Sequence, residues 1–72
     1  MSQLDRLIKR LRQRIEDLES LIEYQNDWFN NRWPVDAINF GRFYRIYEDN
    51  KADLAMYRYM LDLLEERNNA IN

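Results

Sequence analysis

The sequence contains no cysteine and no histidine among its 72 residues. Disulfide bridges are therefore excluded, and the usual ligands of structural zinc are missing. A chain of this length buries too little surface in its own core for a generous margin of stability. We therefore expect the protein to gain stability by association, most simply as a homodimer.

Glycine and proline occur once each, and threonine is absent. A sheet protein would need turn glycines and more β-branched residues, so this composition favours helices. Hydrophobic residues make up 46% of the chain, which is enough apolar surface to offset the entropy lost on folding. The sequence therefore predicts a single all-α domain over residues 1–72.

The sequence contains few residues that could carry out catalysis. Ser2 and Ser20 have no histidine to activate them, and Gly41 alone cannot form a phosphate-binding loop. Neighbouring carboxylates such as Glu16 and Glu19 are typical of solvated helix faces rather than metal sites. We expect no enzyme activity, no cofactor and no bound metal. The lack of a signal pattern or a long apolar run predicts a soluble, cytoplasmic protein.

A heptad repeat of apolar residues organises the first part of the chain and predicts a helix over about residues 2–31. One core position is Ile8, Ile15, Ile22 and Phe29, and the other is Leu4, Leu11, Leu18 and Gln25. Leu7, Leu21 and Trp28 lie beside these positions and widen the apolar stripe. Ser2 is a predicted N-cap with Asp5 three residues later.

A turn is predicted at about residues 32–36, because Trp33 precedes Pro34 and is pushed out of helical geometry. A second heptad predicts a helix over about residues 36–70. Its core positions are Phe40, Phe43, Tyr47, Asn50, Leu54, Tyr57, Leu61, Leu64, Asn68 and Ile71. Folding the chain at the turn predicts an antiparallel, coiled-coil-like hairpin that dimerises into a helical bundle. The alternative is a three-helix arrangement with a break near Asn50.

The predicted register brings specific residues together across the hairpin. The apolar pairs are Phe29 with Phe43, Leu18 with Leu54, Ile15 with Tyr57, Leu11 with Leu61 and Ile8 with Leu64. Basic residues near the start face Asp62, Glu65 and Glu66, and the acids Glu16, Asp17, Glu19 and Glu23 face Lys51 and Arg58. Opposite charges therefore support the antiparallel pairing.

Three sets of residues are candidate binding surfaces. An aromatic set at the turn, rich in the residue types of binding hot spots, predicts a site for another protein: Trp28, Arg32, Trp33, Phe40 and Tyr44. Apolar residues off the second heptad predict a self-association face: Ile46, Met56, Tyr59, Met60 and Leu63. A basic run in the first helix is the alternative site, for nucleic acid: Arg6, Lys9, Arg10, Arg12 and Arg14.

These patterns predict a non-enzymatic protein–protein interaction module, such as an adaptor, an inhibitor or a small assembly subunit. The composition also suits an accessory protein of a phage or other mobile element. The alternative is a small helical nucleic-acid-binding protein. The formal net charge of −2 is too small to indicate either a nucleic-acid mimic or a strongly basic binder.

Overall fold

A computed structural model describes residues 2–31 and 37–71 of the chain. The first helix, α1, spans Gln3–Asn31, and the second, α2, spans Ala37–Ile71. The two helices pack against each other. Contacts join Arg12 to Glu65 and Asn26 to Tyr47, so residue numbers rise along α1 as they fall along α2. The prediction of an all-α chain of two packed helices is confirmed, and the contacts fit an antiparallel hairpin. The predicted turn at 32–36 lies outside the described residues.

Ser2 caps the start of α1 as predicted. Its hydroxyl oxygen accepts a hydrogen bond from the backbone N–H of Asp5 at 3.1 Å, and the Asp5 carboxylate accepts one from the Ser2 hydroxyl at 2.9 Å. The carboxylate also lies 3.4 Å from the backbone nitrogen of Ser2. This reciprocal arrangement is a capping box, and it satisfies N–H groups that have no partner within the helix.

The core is small and lies mainly on one side of α1. In the described part of the chain, the buried apolar residues are Ile8, Leu11, Ile15, Leu18 and Leu54. Their spacing on α1 matches the predicted heptad. Only Leu54 comes from α2, and it packs with Ile15 and Leu18, as the predicted register requires. Tyr57 and Leu61 border the same cluster without being fully buried.

α2 is one continuous helix through Asn50, so the alternative of a three-helix arrangement with a break there is wrong. The Asn50 side-chain amide donates a hydrogen bond to the Gln25 side-chain oxygen of α1 at 3.1 Å. Asn50 therefore satisfies its polar group across the hairpin and does not cap a new helix. A polar pair at a core position favours one register of two packed helices over others.

Candidate interaction surfaces

Aromatic rings from both helices form a cluster at the end of the hairpin where α1 ends and α2 begins. Phe29 is its centre, with ring centroids 5.1 Å from Phe40, 5.8 Å from Tyr44 and 5.3 Å from Tyr47. Most of these pairs are edge-to-face, the geometry that aromatic quadrupoles favour. Trp28, Phe40 and Tyr44 from the predicted turn site therefore belong to one packed cluster. Arg32 and Trp33 of that site lie outside the described residues.

The predicted pairing of Phe29 with Phe43 is corrected by these ring contacts. Among the described residues, Phe29 packs on Phe40, Tyr44 and Tyr47, whereas Phe43 packs on Trp28 at 5.4 Å. Large rings reach along the helices and can contact residues a turn away, so heptad position alone does not fix their partners. Phe43 consequently lies towards the side of the hairpin that carries Trp28.

One side of the hairpin, here called the polar flank, carries hydrogen bonds that join surface residues of α1 to surface residues of α2. Three α1 residues spaced seven apart take part: Arg12, Glu19 and Asn26. Their α2 partners are Glu65, Arg58 and Tyr47. The Arg12 guanidinium donates through two nitrogens to one Glu65 oxygen, and the Arg58 guanidinium donates to Glu19 at 2.9 Å. Residues seven apart lie in one row along a helix, so these contacts define a single side.

Lys51 does not pair with the α1 acids, contrary to the prediction. Its ammonium lies 3.3 Å from Glu48 of its own helix and 4.8 Å from the centre of the Tyr47 ring. Side chains three residues apart on a helix are already neighbours, so this pair forms without reaching across the hairpin. The Glu48 carboxylate raises the pKa of Lys51, and it also raises the pKa of Tyr44 by accepting its hydrogen bond. Of the four predicted α1 acids, Glu19 pairs with a described α2 base.

The opposite side, here called the apolar flank, carries most of the large hydrophobic side chains that are exposed in the described part of the chain. On α1 it carries Leu7, Leu21 and Trp28, which fall in one row with Arg14, and the neighbouring Tyr24. On α2 it carries Ile46 and Met60 in one row and Met56 and Leu63 in the next. Leu7 and Leu63 are each 47% exposed, and Tyr24 is 67% exposed. The apolar flank therefore extends along the hairpin with large side chains in contact with water.

A cleft of about 290 Å³ lies where the apolar flank meets the aromatic cluster. Its lining residues are Leu21, Tyr24, Gln25, Trp28, Phe29 and Phe43. The lining is almost entirely apolar, so the cleft suits an aliphatic side chain better than a polar group.

Four residues of the predicted self-association face, Ile46, Met56, Met60 and Leu63, lie on the apolar flank. The fifth, Tyr59, is displaced from them around the helix. It follows the buried Leu54 by five residues, which rotates it to the side of α2 that points away from α1, and it is 65% exposed. The sequence predicted that Leu7, Leu21 and Trp28 widen the apolar stripe of α1, but Leu7 and Leu21 were not named in a binding surface. Their seven-residue spacing with Trp28 was the signal that could have placed them there.

The residues of the basic run of α1 differ in whether they pair with an acid of α2. Arg12 belongs to the polar flank, where it pairs with Glu65. The remaining four side chains are exposed and form no ion pair with a described residue: Arg6, Lys9, Arg10 and Arg14. Arg6, Lys9 and Arg10 line a surface depression with Gln3, Leu7 and Gln13.

Within residues 2–31 and 37–71, no group of three or more acidic side chains is placed to hold a metal ion. Neither α1 nor α2 combines the length and apolar character that crossing a membrane requires. Comparisons with protein-family models, with curated proteins and with solved structures found no match to this chain.

Proposed function

We propose that this protein is a non-enzymatic interaction module that associates with a second copy of itself through the apolar flank. The observation that carries the proposal is the contrast between the two sides of the hairpin. Cross-helix ion pairs lie on the polar flank, while Leu7, Leu21, Ile46 and Met60 leave the apolar flank open to water. An exposed apolar face of this kind on a soluble helix pair is typical of a binding surface.

The exposed area supports the same proposal. The hairpin has an accessible surface of 6036 Å², against about 4,900 Å² expected for a compact monomer of its mass. The excess, about 1,100 Å², comes from the elongated shape of the hairpin, and it leaves enough surface for an interface that buries roughly 800 Å² per partner. Covering the apolar flank with a second hairpin would complete the core of a four-helix bundle, and the protein would then act as a small assembly subunit or adaptor.

The experiment places a charge either on the apolar flank or on the outer side of α2. Met56→Glu and Met60→Glu introduce a carboxylate into the centre of the apolar flank, and Ala52→Glu introduces it on the exposed outer side of α2 as a matched control. We expect the two flank variants to weaken dimerisation by about 100-fold, because each buries an unpaired charge twice in a symmetric interface. Sedimentation equilibrium across a concentration series measures the dissociation constant.

Ala52→Glu should leave the dissociation constant within about threefold of the unmodified protein, since its carboxylate stays in water. A protein that is monomeric at every concentration before any substitution would contradict the proposal. Equal weakening by all three variants would show that added charge, rather than its position on the apolar flank, controls association.

A second candidate function is nucleic-acid binding through α1. The specific observation is that Arg6, Lys9, Arg10 and Arg14 are exposed and unpaired with any described residue, so their charges are available to phosphates. Titration of a fluorescent duplex at two salt concentrations tests it. Four phosphate contacts would lower the binding constant about 100-fold between 50 and 200 mM salt. Absence of binding at 50 mM would reject this candidate and leave the self-association proposal unaffected.

A further inference from the structure

Two groups of opposite charge lie at different heights along the apolar flank. Arg10 and Arg14 come from the first half of α1, while Asp49 and Asp53 come from the first half of α2. The same rows also carry Asp17 at the middle of α1 and Arg42 and Arg67 towards the two ends of α2, outside these two groups. Contacts between α1 and α2 show where each group lies along the length of the hairpin. The Arg12–Glu65 pair lies near the open end, where α1 begins and α2 ends, and the Gln25–Asn50 pair lies towards the aromatic end. The basic group is therefore nearer the open end and the acidic group nearer the aromatic end.

None of these four side chains forms an ion pair with a described residue of its own hairpin. Their charges are therefore available to a neighbouring molecule. Two hairpins that meet face to face by a two-fold axis can lie with their aromatic ends together or at opposite ends. With the aromatic ends together, the basic groups of both copies meet at the same height, and so do the acidic groups. With the aromatic ends apart, each basic group lies at the height of the partner's acidic group.

We propose that two copies associate through the apolar flank in antiparallel orientation, with their aromatic ends at opposite ends of the dimer. This inference rests on the proposed self-association and specifies its geometry. Like charges at close range oppose association and opposite charges favour it, so electrostatics selects between two orientations that bury similar apolar area.

The row of Leu7, Arg14, Leu21 and Trp28 supports the same orientation. Its seven-residue spacing is symmetric about a point midway between Arg14 and Leu21, so the row matches itself when one α1 is inverted against the other. Leu7 of each hairpin then lies opposite Trp28 of the other. The apolar cleft beside Trp28 has no occupant from its own hairpin among the described residues, and Leu7 of the second copy provides an aliphatic side chain for it.

Distances between spin labels test the orientation directly. The chain has no cysteine, so Asn69→Cys at the open end and Ser20→Cys near the middle each give one labelling position. Both positions are exposed. In an antiparallel dimer the two Asn69 positions lie near opposite ends of a body whose Cα atoms span 53 Å, about 40 Å apart at 1.5 Å per residue. With aromatic ends together, the same labels would lie within about 25 Å.

The Ser20 label distinguishes a wrong orientation of the dimer from a failure to associate. Because Ser20 is near the middle of α1, its labels come within about 30 Å in either orientation of a dimer. A short distance from Ser20 and a long one from Asn69 is the expected result. Short distances from both would overturn the antiparallel orientation while keeping self-association. No measurable distance from Ser20 would overturn self-association itself.

Charge reversal gives an independent test. Arg10→Glu with Arg14→Glu should weaken dimerisation about tenfold or more, because the acidic group of the partner would then meet acidic residues. Adding Asp49→Lys and Asp53→Lys to the same chain should restore the original dissociation constant. With aromatic ends together, the first pair of substitutions would exchange one like-charge contact for another, and the dissociation constant would stay unchanged. That result would overturn the proposal.

Discussion

Replacing Ile15 with aspartate should abolish the folded hairpin. Ile15 is 7% exposed and forms the core cluster with Leu18 and Leu54. An unpaired carboxylate in this cluster costs several kcal/mol, which is about the whole stability expected of so small a domain. Far-ultraviolet circular dichroism against temperature should show little helix at 25 °C and no cooperative transition.

Two control substitutions separate the effect of the charge from that of the helix. Ser20→Asp places the same side chain on the exposed side of α1, where it should change stability by less than about 0.5 kcal/mol. Ile15→Leu keeps the apolar volume and should cost less than about 1.5 kcal/mol. An Ile15→Asp protein with an unchanged melting temperature would mean that Ile15 does not lie in the core.

The parts of the fold that sequence predicted well depend on repeated local patterns. Ile8, Leu11, Ile15 and Leu18 all fit the same heptad. Together they identify the buried side of α1, which no single residue could do. The N-cap at Ser2 depends on residues within one turn of each other. Leu54 could be placed opposite Leu18 because the antiparallel register follows once the two heptads are aligned.

The corrections concern side chains that had more than one possible partner. Lys51 had partners available on both helices, and the nearer one, Glu48, was three residues away on its own helix. Phe43 and Phe29 have long, flat side chains that can reach several neighbours, so their contacts depend on how the helices rotate against each other.

The candidate surface was predicted only in part. α2 has apolar residues on nearly every side, so its heptad predicts the side that faces α1 but not which of the remaining apolar residues lie together in water. The polar flank, defined by Arg12–Glu65 and Glu19–Arg58, resolves this by placing Ile46 and Met60 on the other side. Hydrophobicity alone grouped Tyr59 with Ile46 and Met60, but its position around the helix separates it from both.

The aromatic cluster leads to the second large prediction, which concerns Phe29→Ala. Phe29 contacts the rings of Trp28, Phe40, Tyr44 and Tyr47, so its removal leaves a cavity at the centre of the cluster. We expect a loss of about 3 kcal/mol in the free energy of unfolding, near the lower end for a large aromatic residue because Phe29 is only partly buried. Urea denaturation followed by circular dichroism measures it.

Tyr59→Ala is the matched control, because it also removes one aromatic ring from a helix but from an exposed position. Its effect should stay near 0.5 kcal/mol. Hydrogen exchange adds a local measurement, since the Gln25–Asn50 pair separates the aromatic end from the aliphatic core around Leu18. Phe29→Ala should accelerate exchange mainly at residues 26–31 and 39–47, with much less change at residues 8–18. If Phe29→Ala shifts the urea midpoint no more than Tyr59→Ala does, the cluster adds no more stability than an exposed ring, and the aromatic end is held by the aliphatic core alone.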